Sequence, residues 1–328
     1  MRGDRSWVWL GSCCIPSACE GEPLRLGFGL AILGQWSKPM ASPAPFATHR
    51  ARHRFGQHWL VDQEVLRRIV EAAQLAPTDH VLEVGPGRGA LTEALLASGV
   101  AEVTAVELDR DLVEGLQQRF ASHPRFHLLT GDVLSIALPP PGLPGPNKVV
   151  ANIPYNITGP LLERLVGRLD RPVSPPYSRL VLLVQKEVGE RLRAAPGSSA
   201  YSALSVRMQL LGRCQGICGV PPRSFQPPPK VHSEVISIDP SPPEQRLPQE
   251  LAVAVEQLLR RAFSARRKML RNSLAGMVPE ERLAAMAAEV GVSLQARPQE
   301  LSPSQWVALA TSLNRATVPG ADVHQPDG

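Results

Sequence analysis

Glu83-Val84-Gly85-Pro86-Gly87-Arg88-Gly89 decides the fold of this chain, because an apolar run enters it and a helical pattern leaves it. The run is His80–Gly85, and the pattern is Ala90–Ser98. Glycines at such a junction let the backbone turn sharply and approach a ligand at the C-terminal edge of a sheet. Outward from it, Glu102–Glu107, Arg125–Leu129, Lys148–Ala151 and Leu180–Val184 are short apolar runs of the kind buried in a parallel sheet. Around and between them, Gln63–Leu75, Arg110–Phe120, Pro160–Leu169 and Lys186–Ala194 read as helices. Alternation of this kind implies right-handed crossovers and a doubly wound, Rossmann-like α/β sheet. Gly131–Pro146 and Arg171–Pro176 read as loops, and Val231–Ile238 alternates as a late strand would.

Beyond Pro240 the pattern changes. Pro242, Pro243 and Pro248 mark a linker, and Leu251–Phe263, Arg267–Leu274, Glu280–Glu289 and Ser302–Asn314 read as helices. The expected organisation is a leader over 1–46, a sheet domain over 47–243, a small all-helical domain over 244–316 and a disordered tail over 317–328. The leader shows no period. Asp4 and Pro16 spoil the signal-peptide pattern of Trp7–Cys19, so the leader reads as disordered or as an over-extended start ahead of Met40.

The 328 residues are 43% apolar and 20% charged, as in a protein with a sizeable core. No uninterrupted apolar stretch reaches about 18 residues, so no membrane-spanning helix is expected. A net charge of +5 permits a polyanionic partner without demanding one. Of five cysteines, Cys13, Cys14 and Cys19 cluster at one end and Cys214 and Cys218 lie far away. That distribution argues against a disulfide framework and for a reducing, cytoplasmic setting. Cys214 and Cys218 lack a second ligand pair, so no metal is expected.

The acids at the strand ends select the ligand. Glu107 ends the second predicted strand 22 residues after Gly85, where a carboxylate can accept both ribose hydroxyls of an adenosine-type cofactor. Asp132, after the third, can accept from an adenine amine. A dinucleotide site would share the turn of Gly85 and Gly87 and the acid at 107. Glu83, two residues before the first glycine, suits a cofactor with a cationic amino-acid end, which favours S-adenosylmethionine over NAD.

The sharpest signal is Asn152-Ile153-Pro154-Tyr155, at the end of the fourth predicted strand. The exocyclic amine of adenine is a poor nucleophile, because its lone pair is delocalised into the ring. The Asn152 side-chain oxygen and a following carbonyl can accept its two hydrogens and stabilise charge that develops only in the transition state. Pro154 stiffens the turn, and Tyr155 offers a stacking face. The plainer reading is a strand-to-helix turn capped by Asn152. Phe225, in Ser224–Val231, is expected to supply the second face for a flipped base, against the plainer role of a core plug. Arg54–Leu60 is expected to close over the cofactor.

With these residues quoted, the chain closely resembles the ribosomal small-subunit RNA adenine dimethyltransferases, the KsgA family, over roughly residues 50–315. The likeness also covers Val106–Asp111, Asn152–Thr158, Val184–Val188 and Arg266–Leu274. It implies S-adenosylmethionine-dependent dimethylation of two adjacent adenosines in the 3′-terminal hairpin of small-subunit rRNA, within an assembling subunit. It places cofactor contacts at His58, Leu60, Gly85, Glu107, Asp132 and Asn152. Trp59 stands where phenylalanine is more common.

A basic helix carrying Arg260, Arg261, Arg266, Arg267, Lys268 and Arg271 reads in isolation as a solvated face. Beside a site for folded RNA, Arg266, Arg267, Lys268 and Arg271 are expected to contact phosphates. A monomer is expected. The rival readings are a large-subunit rRNA adenine methylase of the macrolide-resistance type and a non-catalytic RNA-binding assembly factor.

Overall fold

The computed structural model describes residues 57–139 and 141–315. The expected leader, Arg54–Gly56 of the opening motif and the expected tail lie outside the described residues.

Seven strands form the main sheet, in the order β4 (Phe126–Thr130), β3 (Glu102–Glu107), β2 (His80–Val84), β5 (Lys148–Asn152), β8 (Arg179–Gln185), β11 (Ser233–Pro240) and β9 (Gly212–Val220). The first five run parallel, while β11 lies antiparallel to both β8 and β9. From β2 the chain winds outward through β3 to β4, then returns to the other flank of β2 for β5. That reversal opens a crevice at the C-terminal ends of β2 and β5, the switch point at which doubly wound sheets bind ligands.

Side-chain alternation divides the core. Val150, Val181 and Leu183 point into a cluster with α1 (Gln63–Ala73), α2 (Ala90–Ala97) and α3 (Arg110–Phe120). Val149, Ala151, Leu180, Leu182 and Val184 point the opposite way, towards α4 (Thr158–Val166). Burial on both faces explains why these strands read as unbroken apolar runs.

The second cluster continues into α7 (Gln249–Phe263), α9 (Glu280–Glu289) and α10 (Pro303–Arg315), through Val255, Leu259, Met286 and Trp306. Glu256 of α7 is buried there. It accepts from the Leu169 amide at 3.3 Å and from Arg207 Nε at 2.9 and 3.0 Å, with Arg168 3.5 Å away. Leu169 and Arg168 belong to the hairpin of β6 (Gly167–Arg168) and β7 (Arg171–Pro172), and Arg207 belongs to α6 (Ala203–Leu211). A buried carboxylate persists only when its charge is met in this way.

Several elements differ from the sequence reading. The helix α6 and the strand β9 were not foreseen, nor was β7 inside a predicted loop. The pair β1 (Trp59–Leu60) and β10 (Phe225–Gln226) is too short to carry a period. The predicted helix Arg267–Leu274 contracts to α8 (Leu270–Ser273), preceded by a turn that holds Arg266, Arg267 and Lys268. Cys214 and Cys218 are free thiols on β9, half-buried, and burial pushes both thiol pKa values up. Among the described residues no cluster could hold a metal ion, and no helix is long and apolar enough to cross a membrane.

Candidate active site

A cleft opens at the switch point. Its lining includes Gly85 and Gly87 from the β2–α2 turn, Glu107 from the end of β3, and Asp132 after β4. The opposite wall is Asn152, Pro154 and Tyr155 after β5, with His58 and Trp59. All the expected cleft residues except Leu60, Glu83 and Phe225 are thus brought together.

The cofactor side is built on backbone. Gly87 and Gly89 have φ of +60° and +81°, where side chains carry a steric cost. A methyl group on Gly87 would stand 2.8 Å from Trp59 Cδ1, and one on Gly89 would stand 2.6 Å from the Phe120 ring. Close approach of the turn to its neighbours therefore excludes larger residues. Glu107 is 7% exposed, and its carboxylate accepts from the amides of Gly87 at 3.2 Å and of Leu108 and Asp109 at 2.9 Å. Burial raises its pKa, and the three amide bonds oppose that rise. The result is a carboxylate fixed in place before any ligand arrives. Asp132 is exposed and accepts from the Leu134 amide at 2.9 Å through Oδ1, which leaves Oδ2 towards solvent and ligand.

The other side holds the Asn-Ile-Pro-Tyr turn. Asn152 Nδ2 donates to the His58 carbonyl at 3.0 Å, and this orients the side-chain oxygen away from that contact. The turn closes through Ile157 N to the Pro154 carbonyl at 3.1 Å. A methyl group placed on Gly85 would lie 3.7 Å from Pro154 Cδ, so the glycine turn and the proline turn abut. The Tyr155 hydroxyl pairs with Ser233 Oγ at 2.5 Å, and burial raises its pKa. The Tyr155 ring stacks at 5.7 Å on that of His58, whose Nδ1 donates to the Pro227 carbonyl at 2.8 Å.

Three expected site residues lie elsewhere. Leu60 is 5% exposed and Phe225 is 3% exposed; the two face each other across the β1–β10 pair in the core with Val65 and Leu66. The aromatic face foreseen at Phe225 is therefore a core ring in this structure, and the foreseen Leu60 contact is a buried side chain. Glu83 is 1% exposed, beneath the glycine turn, and accepts from Thr92 Oγ1 at 2.7 Å. It does not line the cleft; burial pushes its carboxyl up to about 8.

Of the four expected phosphate contacts, Arg266 is partly committed, since its guanidinium donates to the Ser199 carbonyl at 2.5 Å. Arg267, Lys268 and Arg271 are exposed. Sequence reasoning missed Ser233 as the partner of Tyr155, and it missed Arg88, which stacks 3.9 Å over Trp59. No local signal marks a contact between residues so far apart in sequence as Tyr155 and Ser233.

With this geometry in view, the comparison with known proteins is direct. A family model described as ribosomal RNA adenine dimethylase matches residues 48–315. The chain belongs to the ribosomal RNA adenine dimethylase family. This dimethylase is 66% identical over 283 residues to ribosomal RNA small subunit methyltransferase A of Parasynechococcus marenigrum (strain WH8102), covering 86% of this chain and 92% of that protein. It is equally 66% identical to the protein of the same name from Prochlorococcus marinus (strain MIT 9303), covering 83% and 97%. Among solved structures, a dimethyladenosine transferase from Plasmodium falciparum matches with a TM-score of 0.68 at 26% identity, over 79% of this chain and 98% of that one. The 23S rRNA methyltransferase ErmE matches with a TM-score of 0.61 at 27% identity, over 78% and 99%.

Proposed function

We propose that this chain is an S-adenosylmethionine-dependent adenine N6,N6-dimethyltransferase. Its substrate is two adjacent adenosines in the 3′-terminal hairpin of small-subunit (16S) rRNA, within the assembling ribosomal subunit. The observation that carries the reading is Asn152, anchored by its amide nitrogen on the His58 carbonyl, in one cleft with Glu107 and Tyr155.

The residues present fit the cofactor. Glu107 would hold the ribose hydroxyls and Asp132 the adenine amine. Gly85 and Gly87 would let the backbone pass close to the amino-acid end. When bound, S-adenosylmethionine supplies an electrophilic methyl group on sulfur. The protein's own part is placement: the Asn152 oxygen accepts one hydrogen of the target amine, a carbonyl of the proline turn accepts the other, and the Tyr155 ring supports the base. Such acceptors act on charge that appears as the methyl is transferred, and alignment lowers the barrier by several kcal/mol more. Glu83 acts through the turn above it.

Arg267, Lys268 and Arg271, with Arg266 in part, would neutralise phosphates and position the RNA without reading its sequence. We place the enzyme in the cytoplasm, where its ribosomal substrate is assembled, and as a monomer, since one chain supplies every wall of the cleft.

The test is transfer of labelled methyl to under-methylated small subunits, with the modified base mapped by primer extension. Label at the two hairpin adenosines supports the reading. Label in large-subunit rRNA would favour the second reading, which the likeness to ErmE keeps in view. Absence of transfer to either would favour a non-catalytic assembly factor.

A further inference from the structure

Between Glu256 and Glu280 the chain carries six cations and no carboxylate. Elsewhere arginines pair with acids: Arg119 with Glu93, Arg179 with Asp239, Arg193 with Glu234 and Arg315 with Glu289. Arg267, Lys268 and Arg271 are exposed, and their side chains make no ion pair or hydrogen bond to any described residue. Between them in the chain, Met269 is an exposed apolar side chain, 37% accessible.

This turn is held firmly from below. Leu270 is fully buried, and its amide donates to the Ala296 carbonyl at 2.8 Å. The Arg271 amide donates to the Leu294 carbonyl at 3.0 Å, and the amides of Asn272 and Ser273 return to the Met269 carbonyl at 3.0 Å. Arg266 ties the turn to Ser199. Met269 thus projects from a braced backbone.

Cations alone would bind any phosphate chain. An apolar group on a fixed mount among cations offers something further, a surface for the face of an unstacked base. Bases that are splayed out in RNA loops gain such contacts, whereas bases inside an A-form stem are closed to side chains. A thioether is polarizable and adapts its shape to a flat ring. We propose that Met269 is an apolar wedge that packs against an unpaired base of the RNA substrate while Arg267, Lys268 and Arg271 grip the flanking phosphates. The wedge rests on the rRNA-methylase reading and adds to it a preference for RNA with unpaired bases over plain duplex.

The experiment measures binding of the full chain to two RNAs, a hairpin with an unpaired loop and a blunt duplex of the same stem, across a salt series. Met269→Gln is expected to weaken hairpin binding about tenfold, the scale of one lost base contact. It should leave duplex binding and the salt slope unchanged. Met269→Leu keeps the apolar volume and should retain wild-type hairpin binding, which controls for folding. Arg267→Ala with Lys268→Ala should weaken both RNAs alike and flatten the salt dependence, by about 0.7 to 0.9 in slope per lost contact. Unchanged hairpin binding in Met269→Gln, or equal loss on both RNAs, would overturn the wedge. A defect seen only with whole subunits would also overturn it, since the contact would then be to protein. Methyl transfer by the wild-type chain is read in parallel: label in small-subunit rRNA with unaltered Met269→Gln binding refutes the wedge alone, and absence of label refutes the enzymatic reading alone.

Discussion

The cleft and the cationic surface around Met269 are built on opposite plans. In the cleft, Glu107 is buried and its oxygens already accept three backbone amides, so a small ligand meets a group that has nothing left to reorganise. On the turn before α8 and on α8 itself, Arg267, Lys268 and Arg271 stand in solvent with no described partner. The first arrangement suits a ligand of fixed shape, for which preorganisation cuts the entropic cost of binding. The second suits a polyanion whose counterions leave when it docks. On the proposed reading, the comparison makes recognition of cofactor and of RNA separable, with Asn152 as the place where the two would meet.

That separation is breakable by mutation. The largest effect is expected from Asn152→Ala, which removes the acceptor that the proposed function uses only in the transition state. Methyl transfer should fall by about 10² to 10³, with cofactor affinity by calorimetry changed by only a few-fold. Wild-type turnover would refute its role. Glu107→Ala should weaken cofactor binding by about one to two orders of magnitude, the worth of hydrogen bonds to a charged group, while RNA affinity in a filter assay stays as it was. Loss of both would show the two surfaces to be coupled.

A third test sharpens the buried side. Because burial lifts the Glu83 carboxyl from 4.5 to about 8, the folded chain keeps a proton that the unfolded chain has released. Stability must then decline as pH rises through that window, with the penalty absent below it and complete above it. Glu83→Gln should flatten this contribution, so that its melting temperature gains on wild type as pH climbs from about 5 to about 8. A constant difference across the series would remove Glu83 as the titrating group. The smallest effect belongs to Tyr155→Phe, which loses the bond to Ser233 Oγ and keeps the ring. A loss of about 1 kcal/mol in denaturant unfolding is expected, with methyl transfer within a few-fold of wild type.

Most of the sheet was legible in the sequence because its central strands are buried on both faces. Leu180–Val184 reads as unbroken apolar sequence for that reason, and β8 spans it. The strand β9 reads Gly-Arg-Cys-Gln-Gly-Ile-Cys-Gly-Val and sits at the sheet edge with mostly exposed or half-buried residues, so neither a run nor an alternation announces it. The helix α6, Ala-Leu-Ser-Val-Arg-Met-Gln-Leu-Leu, has apolar residues around its circumference and so lacks a stripe. In the cleft, Glu107, Asp132 and Asn152 were legible because strand ends carry ligand groups in such sheets. The burial of Leu60 and Phe225 was not legible, since it comes from the mutual pairing of two-residue strands far apart in the chain.

Glu256 also has a consequence for the enzyme as a machine. One carboxylate draws together the β6–β7 hairpin, α6 and α7, inside an apolar wall that the sheet and the terminal helices share. Removal of the helices would strand Arg207 and bare that wall, so heat should dismantle both parts in step. A frame so stitched leaves little room for flexing when RNA arrives. On the proposed reading, the distortion needed to present an adenine to Asn152 would then fall on the nucleic acid.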